Sequence, residues 1–283
     1  VFEAWVTVLI SGLAMGAIYA LVAGGLNLTW GVMNVVNMAH GVFLMLGAYI
    51  TFMAWSYWGI NPLFTIFLSF PILFALGALI NRFLVRRTVG LASMLLTFGI
   101  FMVIENLAVL GFGGMYRSVR FFTGSYNLMG IFVSKPRIIA AGIAVAMSLL
   151  TYWFLKKTKI GVAIRAISLD RMMAEQCGVN TNQICTITFG IGAAQPAVAG
   201  SLMSLIFAFN PMLGRVFLVK AFAIVVLGGM GNFLGALIGG LTIGVVEAVI
   251  AFSGNLHLSE AAGFIIIILI LLLRPSGIMG TRQ

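Results

Sequence analysis

The feature that most constrains this chain is a succession of apolar runs, each close to the roughly 20 residues a helix needs to cross a hydrocarbon core of about 30 Å. They fall at 4–28, 34–55, 62–82, 91–112, 137–155, 184–209, 233–252 and 257–273, with a shorter ninth at 219–230. Of the 283 residues 62% are hydrophobic and 8% charged, too little polar surface to coat a water-soluble body. The reading is an all-α polytopic membrane protein of about eight to nine transmembrane helices, a single domain over residues 1–283. The first run lacks the basic flank and small-residue cleavage site of a leader, so it reads as a retained span.

Charge sets the orientation. The net charge of +10 is concentrated in three clusters: Arg82, Arg86 and Arg87; Lys156, Lys157, Lys159, Arg165 and Arg171; and Arg274 with Arg282. Basic residues in short loops favour the cytoplasmic side. Counting crossings from these clusters puts the N-terminus outside and the C-terminus in the cytoplasm, provided 219–230 counts as a span. The connection 113–136, with Arg117 and Arg120, then lies outside against the charge rule. Basic residues held between apolar runs do not make the surface that nucleic acid requires.

Glycines punctuate the pattern. Gly24 and Gly25 near the end of the first run, and Gly228, Gly229 and Gly231 late in the chain, predict broken or re-entrant segments early and late. Broken helices survive at membrane depth only where protein or a water-filled path covers the freed backbone. The pairs Gly12/Gly16, Gly235/Gly239 and Gly240/Gly244 are spaced for close helix packing, most simply within one subunit.

The chain has no phosphate-binding loop, no H-E-x-x-H, no C-x-x-C and no G-x-S-x-G. No metal or cofactor is expected, Cys177 and Cys185 read as buried or reduced thiols, and ATP chemistry has to come from a partner. Few polar residues interrupt the apolar runs. Asn34, Asn37 and His40 recur every three residues ahead of Gly41, which predicts one helical face; they read either as caps and packing groups or as the wall of a path. Glu105 and Glu247 read as partners of polar groups on neighbouring helices, with a proton relay as the alternative. An intramembrane enzyme using His40 with one of these carboxylates is a reading of another class.

The longest polar stretch, about 156–183, predicts a short helix capped by Ser168, with Asp170 in its first turn and Gly178 closing it in the left-handed conformation. It would present Leu169, Met172 and Met173 as a docking element in a basic cytoplasmic loop, the alternative being a helix lying on lipid headgroups.

With both stretches in view, the chain resembles the permease subunits of high-affinity branched-chain amino acid ABC importers, in particular the first of their two paired permeases. The resemblance rests on Gly31-Val-Met-Asn34, Asn37-Met-Ala-His-Gly41, Leu46-Gly-Ala-Tyr49, Gly161-x3-Arg165-Ala166, Met173-Ala174-Glu175, Gly178-Val-Asn180, Lys220-Ala-Phe, Val225 through Gly231, Gly235-Ala-x2-Gly239-Gly and Arg274-Pro-x-Gly277. It implies a compact importer-type permease fold and a multi-pass place in a bacterial-type inner membrane. The implied partners are a second related permease, two cytoplasmic ABC ATPases and an extracytoplasmic substrate-binding protein. Asn34, Asn37, His40, Gly41, Gly228, Gly229 and Gly231 would line the path, and Gly161, Arg165, Ala166, Leu169, Met172, Met173, Ala174, Glu175 and Gly178 would couple to an ATPase. Within the family, urea, short amides and other amino acids are the alternative substrates. Val42 stands where the family commonly has a glutamate, a departure that bears on substrate choice.

Overall fold

The structure is a computed structural model that describes residues 2–122, 124–128 and 131–254, and beyond them 259, 261, 263, 265, 266, 268, 272 and 277–279. The helices run α1 Phe2–Met33, α2 His40–Trp58, α3 Pro62–Phe83, α4 Leu91–Phe112, α5 Lys135–Lys157, α6 Lys159–Leu169, α7 Arg171–Gln176, α8 Thr181–Ser204, α9 Leu213–Gly228 and α10 Phe233–Phe252. Among the described residues seven are long and apolar enough to cross a membrane, namely α1, α2, α3, α4, α5, α8 and α10. At 16 residues, α9 rises about 24 Å, short of a full crossing on its own. The expected run at 257–273, and the cluster of Arg274 with Arg282, fall largely outside the described residues.

At the centre stands α8, the most enclosed of the seven, packed on α1, α2 and α3. Small residues make this possible. A Cβ at Gly200 would collide with the Leu44 carbonyl of α2, and one at Gly47 with the backbone of Ala197. The expected glycine pairs work within the chain: a Cβ on Gly16 would lie 2.8 Å from Leu241 Cα, and one on Gly12 2.9 Å from Val245 Cα, so α1 and α10 meet backbone to backbone. By contrast α4 and α5 bury only a narrow stripe each and turn Leu107, Leu110, Leu149, Leu150 and Trp153 outward, as lipid-facing helices do.

Two expectations about helix breaks change. Gly24 and Gly25 do not interrupt α1, which is continuous to Met33. A buried helical glycine keeps its backbone hydrogen bonds, and these two serve close approach instead, a Cβ at Gly25 coming 3.0 Å from the Gly192 carbonyl of α8. The first break is displaced to residues 34–39, where Asn34 takes φ +52°. Because that segment is not helical, Asn34, Asn37 and His40 do not share a helical face.

The connection 113–136 also departs from an all-helical reading. Ser125–Leu128 (β1) and Ile131–Ser134 (β2) form a small antiparallel ribbon, and Arg117 exchanges two 2.8 Å backbone hydrogen bonds with Phe209. The Arg117 guanidinium lies over the Phe52 ring and donates to the Phe112 carbonyl. This residue is therefore tied into the fold through its backbone and its guanidinium.

Candidate functional site

Two helix breaks converge on the last turns of α1. At the first, Asn34 N–H donates to the Trp30 carbonyl at 2.8 Å and closes α1. Asn37, 1% exposed, turns the chain: its Oδ1 accepts from Ala39 N–H at 3.1 Å and its carbonyl from His40 N–H at 3.2 Å. Met38 N–H donates to Thr97 Oγ1 of α4. His40 is enclosed, with Nε2 2.9 Å from the Val22 carbonyl. Gly41 follows, backed so tightly on the Gly214 carbonyl that no side chain fits. Val42 is fully enclosed among apolar neighbours.

The second break spans residues 229–232. Gly229 and Gly231 have φ of +102° and +84°, a region L side chains rarely adopt. Asn232 caps α10 by accepting from Gly235 N–H at 3.1 Å, and Gly228 packs directly on Gly235. The break is held by a residue that sequence reasoning overlooked. Asn27 of α1 donates to the carbonyls of Asn232 (2.6 Å) and Gly229 (3.3 Å) and accepts from Gly231 N–H (2.5 Å). Asn27 sits at the margin of the expected 4–28 run and is the one amide within it, the signal that could have found it. A Cβ at Gly31 would come 3.2 Å from Gly231 Cα, so α1 also backs the second break closely. Residues 278 and 279 donate to the carbonyls of Leu227 and Gly228.

Both mid-span carboxylates have cationic partners that the sequence did not single out. Glu105 receives Arg215 Nε at 2.7 Å and Nη2 at 2.8 Å. Glu247 receives Lys220 Nζ at 2.8 Å and the Tyr19 hydroxyl at 2.8 Å, joining α1, α9 and α10. Arg215 falls between the expected runs 184–209 and 219–230, and Lys220 entered only as part of a motif, because their pairing depends on α9 folding back beside α4 and α10.

The polar stretch 156–183 folds into α6 and α7. Thr158 caps α6 by accepting from Gly161 N–H. The expected cap moves: Asp170, not Ser168, caps α7, its Oδ1 accepting from Met173 N–H at 3.0 Å, while Ser168 Oγ donates back to the Arg165 carbonyl. A preceding helix already uses Ser168, which leaves the cap to the first residue with extended backbone. Gly178 closes the turn at φ +82°.

The proposed coupling residues divide into two sets. Gly161 and Ala174 are buried and Ala166 half-buried; they seat the element with Ile164 and Ile167 against Leu28, Val32 and Leu155. Arg165, Leu169, Met172, Met173, Glu175 and Gly178 are exposed. Leu169 at 88% and Met172 at 69% exposure are unusually bare for apolar side chains. Glu175 accepts from Thr181 Oγ1 at 2.7 Å and from Arg171, and these bonds hold its carboxyl below the usual carboxylate range. Cys177, exposed, and Cys185, buried, are free thiols.

This architecture defines a polytopic, predominantly helical membrane protein with paired helix breaks and an amphipathic polar-loop element. Residues 8–273 match the family described as branched-chain amino acid transport system, permease component. The chain is 31% identical over 293 residues to the high-affinity branched-chain amino acid transport system permease protein BraD of Pseudomonas aeruginosa, covering 97% of this chain and 95% of that one. It is also 31% identical over 292 residues to LivH of Escherichia coli K12 (96% and 94% covered) and 28% identical over 284 residues to a probable LivH of Methanocaldococcus jannaschii (92% and 88%). The chain belongs to the branched-chain amino acid transport permease family. PsaBC of Streptococcus pneumoniae, solved in complex with a Fab, shares the fold at TM-score 0.50 and 13% identity over 91% of this chain and 89% of that one.

Proposed function

We propose that this chain is the membrane-spanning half of an ATP-driven importer of branched-chain or other hydrophobic amino acids, forming the path with a second related permease. Two cytoplasmic ATPases supply the energy and an extracytoplasmic binding protein delivers the substrate. The observation that carries the reading is the two-faced α6–α7 element. One face is anchored on α1, α5 and α8; the other leaves Leu169, Met172 and Met173 bare, in a chain with no nucleotide-binding loop of its own. Movement of α6 against Leu28 and Val32 would reach the end of α1, which leads into the first break and backs the second. Asn34, Asn37, His40, Gly41, Gly228, Gly229 and Gly231 belong to the path in this reading, with α6–α7 and the C-terminus on the cytoplasmic side and the N-terminus outside.

The test is substrate-stimulated ATP hydrolysis by the complete complex. Met172→Asp and Arg165→Glu should reduce stimulation at least fivefold while the complex still assembles. Unchanged stimulation in both variants removes the docking role. Labelling of single cysteines at Gly124 and Asn180 from opposite sides of the membrane tests the orientation, with Gly124 outside and Asn180 inside.

A further inference from the structure

A helix leaves its last four carbonyls without partners inside it, and away from water each needs a donor from elsewhere. At the end of α9 a distant part of the chain returns to supply two of them. Ile278 N–H donates to the Leu227 carbonyl at 2.8 Å and Met279 N–H to the Gly228 carbonyl at 3.1 Å. Asn232, which caps α10 with its side-chain oxygen, uses its Nδ2 to hold the Met279 carbonyl at 3.0 Å. Residues 277–279 thus lie as a strap across the second break, from the last turn of α9 to the cap of α10. The fit is close: Gly277 has φ +77°, and a Cβ there would come 2.7 Å from the Val226 carbonyl and 2.8 Å from Gly229 N.

The break is therefore clasped from two sides, and the clasps differ in kind. Asn27 is buried within a 32-residue helix and cannot let go without moving α1. The strap is not helical, is held by three hydrogen bonds, and leaves Met279 39% exposed at its edge. It can detach without unwinding any helix. Both sides of the break also meet the α6–α7 element. Leu28, beside Asn27, belongs to the apolar cluster that seats α6, and Phe233, beside Asn232, packs on that same cluster. A shift of α6 therefore bears on α1 and on the start of α10 together.

We propose that residues 277–279 are a releasable latch on the second break. In place, they tie the end of α9 to the start of α10 and keep the path shut at this end. When α6–α7 moves, the strap detaches and the break opens. The Leu227 and Gly228 carbonyls then need new donors, which water entering the opened path supplies, so unlatching and wetting go together. The inference rests on the importer reading and adds to it the element that closes the path.

The experiment measures hydrogen exchange over residues 277–279 in the complete importer in lipid nanodiscs, without nucleotide and trapped with ATP and vanadate. The strap amides should exchange at least tenfold faster in one state than in the other, while those of α8 stay protected in both. Equal protection of the strap in both states, or faster exchange shared equally by α8, overturns the latch. Ile278→Pro removes the N–H that reaches Leu227. It should lower ATP-driven uptake at least fivefold while hydrolysis continues without substrate, and Ile278→Val, which keeps the N–H, should behave as the unaltered protein. Normal uptake with normal substrate stimulation in Ile278→Pro overturns the latch. If that variant does not assemble, the exchange comparison on the unaltered complex decides. Uptake by the unaltered complex with the binding protein is measured alongside: uptake with a strap equally protected in both states overturns the latch alone, whereas no uptake of any amino acid overturns the importer reading.

Discussion

Glu105 on α4 and Arg215 at the start of α9 form a two-pronged ion pair, with the carboxylate 3% exposed and the guanidinium about half exposed. Otherwise α4 is a loosely held, lipid-facing helix; this pair ties it to α9, and the Thr97 contact to Met38 ties it to the first break. Removing Arg215 leaves a buried carboxylate unpaired. Arg215→Leu should lower the melting temperature, by less than the loss of a fully buried pair would because solvent screens the exposed partner. The double variant Glu105→Leu with Arg215→Leu should recover most of that loss, as read from thermal unfolding in detergent. A double variant as unstable as the sum of the single ones rules out direct coupling.

Lys220, Glu247 and Tyr19 make a second intramembrane polar cluster, with both charged side chains 13% exposed. The Glu247 carboxylate is engaged as a clasp between α9, α10 and α1. Lys220→Met should therefore cost more stability than Tyr19→Phe, for which one lost hydrogen bond is worth about 1 kcal/mol. Transport driven by ATP should be insensitive to a protonophore. Uptake that collapses with the proton gradient while ATP is held constant would restore the relay reading.

Close packing makes a contrast between two glycines. Gly200 meets the Leu44 carbonyl, whereas nothing lies within 4 Å of a Cβ at Gly142. Gly200→Ala should cost about 1–3 kcal/mol or prevent folding, and Gly142→Ala should be neutral or stabilising by about 0.4–1 kcal/mol. Size-exclusion profiles and melting temperatures of the two purified proteins provide the comparison.

In the α6–α7 element, Asp170→Ala should loosen α7 by about 0.5–2 kcal/mol, while Ser168→Ala should leave it intact. Hydrogen exchange at residues 171–176 distinguishes them, and faster exchange in the Ser168 variant would return the cap to that residue.

Glu175 adds a pH dependence. Its carboxyl is held below the usual range by Thr181 and Arg171, so its tie between α7 and α8 is complete above the ordinary carboxylate pKa of about 4.3. The tie is lost as pH falls through the lowered folded value. Exchange protection at residues 175–181 should be flat from pH 8 to about 5 and fall only below that. Thr181→Val should move the fall to higher pH, and a fall already present near pH 7 contradicts the assignment.

Much of the fold was legible because each signal was local. Apolar run length fixes where helices cross, glycine at four-residue spacing marks close contacts, and Gly229 and Gly231 mark a turn that only positive φ allows. What escaped was reciprocal. Asn27 has meaning only once the loop at 229–232 folds against it, and Glu105 and Glu247 find Arg215 and Lys220 110 and 27 residues away. Gly24 and Gly25 have the composition of a helix break and the role of a packing surface, and only the approach of α8 decides between them. The sequence by itself determined a lipid-embedded helical chain with a polar loop that carries a short capped helix, because hydrophobic length and capping are properties of a single segment. Tertiary structure decided which polar groups are paired and that the second break is held from two sides, because the cost of burying a polar atom depends on what the rest of the chain brings within about 3 Å of it.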